Sequence, residues 1–505
     1  MRSLRLFSLF LPAVTIIALT TPEVAAAPAQ GPSLARIAAE HAHLAFEQRM
    51  AARHHAHAAI ATQPLSARAA AGGFDKIANV EQAGRDTLPS PNGAEPDTQI
   101  EPDITTDPNN PDVIVSTFQQ GRYQDGGSVD PGYTVSQDGG KTWAAGNLPL
   151  LTTAVGGPFD RASDAAATVG PDGAVYLQTI PFDQNDPRSA VAVQRSDDGG
   201  LSFGPPVLVV DDNDANIFHD KNWIVADTAA ASPHRGRIYS VWSKFVTTGA
   251  VTHSPGVVSF SDDRGQTWSK PTNITAADAD TEGLLPMVQR DGTLTVVYDL
   301  TVGTQDFETA QNSADGGLTW TPPVAVGEFL GANVPGTRSG GLPAAAIDAA
   351  TGRMYVTWQD TRFNPDGLNN IAMSTSRDGG RTWSAPAQVD PRVAGLDRFT
   401  PDVAAAGGSV HVTYRTRAAN GTASTVDQDY IASTDNGRTF GFEHAVGPPS
   451  DVQWAAQAGK QIFYGDYMGV VATPQRAALV WNVSSRPPIA GRQFHQTTWT
   501  ATATR

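Results

Sequence analysis

Ser136-Gln137-Asp138-Gly139-Gly140-Lys141-Thr142-Trp143 is the stretch that decides the fold, because near copies of it recur five more times. They are SDDGGLSF from Ser196, SDDRGQTW from Ser261, SADGGLTW from Ser313, SRDGGRTW from Ser376 and STDNGRTF from Ser433. The start-to-start spacings of 60, 65, 52, 63 and 57 residues match one four-stranded sheet plus loops per unit. In each copy the Asp carboxylate can accept backbone N–H groups across a turn, the Gly permits positive φ, and the closing Trp or Phe packs beneath. Recurrence in every unit assigns these aspartates to turn bracing rather than to catalysis.

Working outward, a pair of apolar strands lies between successive motifs. The first pair is EPDITTDPNNPDVIVSTFQQ from Glu101 and the last is YMGVVATPQRAALVWNV from Tyr467, seven pairs in all. A third strand precedes each Asp motif, as in SAVAVQRS and NIAMSTS, and a fourth would follow it. RQFHQTTWTATAT gives the last unit a third strand without a motif. Phe118, Trp242, Tyr298, Trp358, Tyr414 and Trp481 sit near the same place in their second strands, which reads as core between units rather than a sugar-stacking platform. The expected fold is all-β, a β-propeller of four-stranded blades, with seven blades favoured by the strand pairs and six the alternative.

Composition agrees. The 505 residues are only 17% charged, with 48 Gly and 36 Pro, which suits many short strands joined by turns. The net charge of −16 and the lack of a Lys/Arg run in the mature part exclude a nucleic-acid partner. There is no cysteine, so no disulfide, thiolate metal site or redox chemistry is available.

Residues 1–27 read as a signal peptide: Arg2 and Arg5, an apolar stretch from Leu6 to Leu19, then small residues up to Ala27. The expected localisation is secreted, and no other segment has the apolar length of a membrane span. Residues 28–97 read as an Ala/His-rich helical segment and linker, with Gly72 to Asp97 a linker or a strand feeding the main domain at 98–505. His41, His43, His54, His55 and His57 invite a metal reading, but no carboxylate-His spacing recurs among them.

The recurring motifs resemble the Asp boxes, or BNR repeats, of sialidases and related β-propeller proteins, over Glu101 to the C-terminus. The resemblance is specific for fold and much less so for activity, because such propellers also include other glycosidases, lectin-like binders and non-catalytic proteins. Six blades is the usual sialidase count, and the seven strand pairs depart from it.

If the motifs join third to fourth strands on one face, first-strand starts and the loops after second strands share the other. The residues falling there are polar: Glu101-Pro102-Asp103, Asp160-Arg161, Asp220-Lys221, Glu282, Arg338, Asp397-Arg398 and Asp466-Tyr467, with Arg122, Asp125, Asp360, Arg362 and Arg415 after second strands. Such a ring fits an anionic-sugar site, where guanidinium groups hold a carboxylate and carboxylic acids move protons. The resemblance implies Tyr467 as nucleophile, Glu282 as its partner and Asp125 as acid, with Arg338 and Arg398 for a substrate carboxylate. Arg161, Asp103, Asp160 and Asp220 complete the substrate-binding set. The arginine that opens the first strand in sialidases is missing, and Glu101-Pro102-Asp103 stands there instead.

The function read from the chain is a secreted sialidase-like glycoside hydrolase acting on an anionic or polar glycan. The alternatives are a non-catalytic carbohydrate- or protein-binding propeller and a structural role at the cell exterior. No cofactor is implied. Asp211-Asp212-Asn213-Asp214 and Asp183 to Asp186 offer oxygen ligands that suit Ca²⁺, and solvated turns explain them as well. The partner expected is a glycan or glycoconjugate; the oligomeric state is not encoded in these patterns.

Overall fold

A computed structural model describes residues 73–505 apart from 83–85, 87, 90, 92, 340 and 420–422. The signal peptide, the Ala-rich helix and its histidines lie outside the described residues.

The short turns and alternating apolar positions build an all-β propeller, and among the described residues the helical content is two single-turn 3₁₀ segments, Thr153–Val155 and Val452–Trp454. Each strand pair named from the sequence forms an antiparallel ladder, as in Ala94–Thr106 with Ile114–Tyr123 and Gly469–Ala472 with Arg476–Ser484. First strands pack side by side around a closed ring, from Ala94–Thr106 through Arg161–Val169, Ile217–Ala226, Asp280–Val288, Ala344–Ile347 and Leu396–Ala406 to Gly469–Ala472, which returns to Ala94–Thr106.

Counted by continuous hydrogen bonding, the propeller has five sheets of four or more strands, which corrects the expectation of seven separate blades or six. The physical reason is fusion. One twelve-stranded sheet joins the first two strand sets through Ser128↔Ala162, and the last set to the first through the parallel pair Thr98↔Gln496. Lys76–Glu81 is the outer strand of that last set, antiparallel to Gln496–Thr504 with Lys76 opposite Thr504. The two ends of the described chain are therefore hydrogen-bonded to each other. Among the described residues no helix is long and apolar enough to cross a membrane.

The six second-strand aromatics are core. Phe118, Trp242, Tyr298, Trp358, Tyr414 and Trp481 are all fully buried, and Trp358 packs against Val326 and Phe329 of the preceding set. Trp481 likewise meets Tyr430 and Val446. Gly447 lies under the Trp481 ring at φ 65, where an added Cβ would come within 2.5 Å of the indole. Only glycine fits both that conformation and that space.

All six Asp motifs close their turns in one way. Ser136 Oγ donates to Asp138 Oδ1 at 2.8 Å and accepts from the Gly140 N–H. Asp138 accepts from the Thr142 N–H at 2.9 Å and the Thr142 hydroxyl at 2.7 Å. These donors, the Thr142 hydroxyl foremost, hold the Asp138 carboxyl well below the usual carboxylate range. The turns join third to fourth strands, so strand alternation leaves the opposite end of the ring for the polar residues.

Candidate active site at the mouth of the ring

The site begins with an irregularity that the first strands share. Their ladders shift register between Ile100 and Asp103, Ser163 and Ala166, Asp220 and Trp223, Glu282 and Leu285, and Phe399 and Asp402. At these bulges Glu101 (φ 51), Asp164 (φ 51), Lys221 (φ 48), Gly283 (φ 65) and Thr400 (φ 48) adopt the left-handed region. Four of the five are not glycine, at roughly 1 kcal/mol or more of backbone strain each. A bulge re-aims the side chain it carries, and here Glu101, Asp164 and Lys221 converge.

A hydrogen-bonded arc connects them. Gln119 Nε2 donates to Glu101 Oε2 and, at 3.1 Å, to Ser163 Oγ. Ser163 Oγ donates to Asp164 Oδ1 at 2.7 Å. The Lys221 backbone N–H is then shared by Asp164 Oδ2 and Asp220 Oδ1, each 2.9 Å away. In the other direction the Asp466 N–H donates to Glu101 Oε1 at 3.0 Å. Asp466 grips Arg338 through Nε at 3.2 Å and through Nη2. The parallel pairing of Thr337–Arg338 with Gln461–Phe463 delivers that arginine to the ring.

Lys221 Nζ is packed 3.4 Å above the Tyr467 ring and 4.8 Å from that of Trp223. It makes no hydrogen bond among the described residues and is 7% exposed. Tyr467 is itself buried, donates its hydroxyl to the Ala165 carbonyl at 3.2 Å, and meets Trp223 edge-on. Tyr467, Trp223 and Lys221 thus form a floor, with the carboxyl groups around it.

Crowding sets the protonation of those acids. Burial, then the charges of Asp164 and Asp466, push Glu101 up to about 7. Burial brings Asp103 to about 7 against the Ala167 N–H it accepts at 2.7 Å. Asp220 is raised well above the carboxylate range by burial and by Asp164, and Glu282 by burial and then by Asp220 and Asp164. Asp164, by contrast, has a donor on each oxygen. The Tyr467 phenol is pushed well up by burial and by Glu101.

The sequence-predicted residues fall into three places. Tyr467, Glu282, Asp220, Asp103 and Arg338 come together around Lys221. Arg161, Asp125 and Asp160 form an outer group: Arg161 Nη1 donates to Asp125 Oδ1 and the Gly126 carbonyl, both at 2.8 Å, and its guanidinium lies 3.7 Å above the Tyr123 ring. Asp160 is exposed and accepts the Gln184 N–H at 3.1 Å. Arg398 is not brought to the mouth; it is fully buried with Asp390 at 3.2 Å and Glu443 at 3.1 Å. Asp164 and Gln119 were missed, and Lys221 and Asp466 were placed on this face without a role. The signal available was a polar residue one or two places into each first strand's break, as in EPD, SDA, DKN and TEG.

The acidic runs considered for Ca²⁺ have protein partners. Arg188 holds both oxygens of Asp211 at 2.9 Å, and Asp212 faces His219 at 3.2 Å. Asp183 and Asp186 accept the N–H groups of Asp160 and Arg188.

No protein-family model and no curated protein matches this chain. Among solved structures it is similar to a Hadza microbial sialidase, at a TM-score of 0.46 and 16% identity over 75% of this chain and 74% of that one. A protein of unknown function from Dyadobacter fermentans gives 0.45 and 14% over 85% and 99%. The phage phi92 endosialidase gives 0.47 and 10% over 86% and 70%. All three TM-scores lie below 0.5, and the chemistry has to be read from this chain's own residues.

Proposed function

We propose that this chain is a secreted, sialidase-like glycoside hydrolase whose proton-transfer groups are Asp164, Asp220 and Glu282. The observation that supports this reading most is the Lys221 N–H shared by Asp164 and Asp220, with Glu282 close enough to be raised by both. Glycoside hydrolysis needs one carboxyl group kept protonated for the leaving oxygen and one kept ionised to activate water or attack the sugar. Burial and like charge raise Glu282 and Asp220 and so favour their protonated forms. Asp164 accepts a hydrogen bond on each oxygen, from the Ser163 hydroxyl and the Lys221 N–H.

In this reading Tyr467 is the support for Lys221 and not the nucleophile. Its hydroxyl is engaged by the Ala165 carbonyl, and its environment opposes ionisation. Asp125 lies with Arg161 at the rim, where it can order an outer sugar unit.

Full-length protein assayed on a panel of fluorogenic aryl glycosides should turn over at least one. Asp220→Asn and Glu282→Gln should each lose 100-fold or more in kcat with an unchanged circular dichroism spectrum, in line with general acid–base contributions of about 10²–10⁴. Silence of the wild type across the panel, or variants as active as the wild type, refutes the proposal.

A further inference from the structure

We infer that the sugar unit taken at this mouth carries no carboxylate, so that the substrate is a neutral, hydroxyl-rich glycan rather than a sialoside or uronide. The inference rests on the hydrolase reading only for where the sugar sits; the charge argument comes from the arginines.

Recognition of a carboxylate needs a guanidinium with its N–H fork turned toward open space. Among the described residues no arginine at this end presents an open fork: Arg362 is paired with Asp360, Arg415 is buried on Asn482, and Arg338, Arg122 and Arg161 are paired or buried. Arg338 presents Nε and Nη2 to Asp466, with its plane 4.6 Å from the Phe463 ring. Arg122 lies 4.7 Å from the same ring and sends Nη1 to the Gly127 carbonyl at 3.5 Å; its Nε has no partner among the described residues, and at 4% exposure burial rather than pairing withholds its fork. Arg161 sends Nη1 to Asp125 and Gly126 and lies on the Tyr123 face; its Nε has no partner among the described residues but is buried, the residue being 2% exposed. Arg398 sits in the core between Asp390 and Glu443. Lys221, the cation at the floor, is covered by Tyr467 and Trp223.

What the mouth offers instead is carboxyl groups from successive first strands: Glu101, Asp164, Asp220 and Glu282. Carboxyl groups that hold protons donate and accept, which matches sugar hydroxyls. An incoming carboxylate leaves water without an open guanidinium fork to pair with, and the missing charge-assisted hydrogen bonds disfavour it by roughly 100-fold.

The test compares methylumbelliferyl galactoside with the galacturonide, and xyloside with glucuronide, each pair alike except for the carboxylate, with a sialoside alongside. Neutral members should exceed their acidic counterparts by about 100-fold in kcat/KM. A uronide or sialoside turned over as well as the neutral glycosides overturns the inference while leaving the hydrolase reading intact. If nothing is turned over, the hydrolase reading fails and calorimetric binding decides the inference: neutral oligosaccharides bound in preference to oligogalacturonides support it, and equal, reversed or absent binding of both overturns it. Asp466→Asn, which releases the Arg338 fork, should raise affinity for the acidic oligosaccharide about ten-fold or more; a merely structural role for Asp466 would lower affinity for both classes, and that result also counts against the inference.

Discussion

Glu308 gives the sharpest quantitative prediction. Its side chain is fully buried, neither carboxylate oxygen has a hydrogen-bond partner among the described residues, and Asp299 lies directly opposite on the neighbouring strand. Burial, followed by the charges of Asp299, Asp306 and Asp360, raises its pKa well above the carboxylate range. The folded protein therefore keeps a proton that the unfolded chain releases above about pH 4.3. The stability associated with that proton is fully present below the unfolded value and is lost as pH rises, by up to roughly 1.4 kcal/mol per pH unit, until the folded-state group itself titrates. Between pH 5 and 7 the ceiling is about 3 kcal/mol. Glu308→Gln keeps the shape and removes the titration, so the variant's gain over wild type should be near zero at pH 4 and grow toward pH 7. With an unfolding entropy of about 2 cal/mol/K per residue over roughly 430 residues, 3 kcal/mol is about 3 °C in Tm. Differential scanning calorimetry of both proteins from pH 4 to 8 measures the difference directly. A Tm difference that does not change with pH would show that Glu308 is ionised in the fold and would refute the argument.

Three further outcomes follow from other parts of the molecule. Lys221 lowers the pKa of Glu282 and Glu101 by its charge, so Lys221→Met should raise both and move the alkaline limb of the kcat/KM profile to higher pH; a limb that stays in place, read also by carbon NMR of the carboxyl groups, would contradict this. Asp435 accepts from the N–H groups of Arg438 and Thr439 and from the Thr439 hydroxyl, and Asp435→Ala should cost about 1–3 kcal/mol in a urea melt without changing glycoside turnover, since the turn is at the other end of the ring. Arg398→Met strands the buried Asp390 and the partly buried Glu443, and should cost about 3–5 kcal/mol; a loss under 1 kcal/mol would place Arg398 outside the core's charge balance.

The Asp motif was legible because all of its interactions are local. Ser136, Asp138, Gly140 and Thr142 bond to one another within seven residues, so composition and spacing reveal the turn wherever it occurs. The second-strand aromatics were legible for a related reason: one structural demand, filling the space between neighbouring sets, recurs at one place in each unit. The candidate site is the reverse case. Arg338 finds Asp466 across 128 positions, and Tyr467 finds Ala165 across 302. Arg398 carries the same sequence context as a mouth residue, an arginine beside an aspartate at a first-strand start, yet the side chain turns into the core. A one-residue change of direction in a strand moves a side chain to the opposite face, and the bulges at Glu101, Asp164 and Lys221 make that change without a fixed sequence signal.

Sequence by itself therefore determined the all-β class, the repeating strand sets, the bracing turns and the end of the ring where polar residues gather, since each is set by short-range periodicity and turn chemistry. Tertiary structure alone decided that the sets fuse into five continuous sheets, that Lys76–Glu81 completes the last set, and which acids surround Lys221. It also decided that the arginines are neutralised by partners far away in the chain. Those outcomes depend on closing a ring, and ring closure joins residues whose separation in sequence carries no local signal.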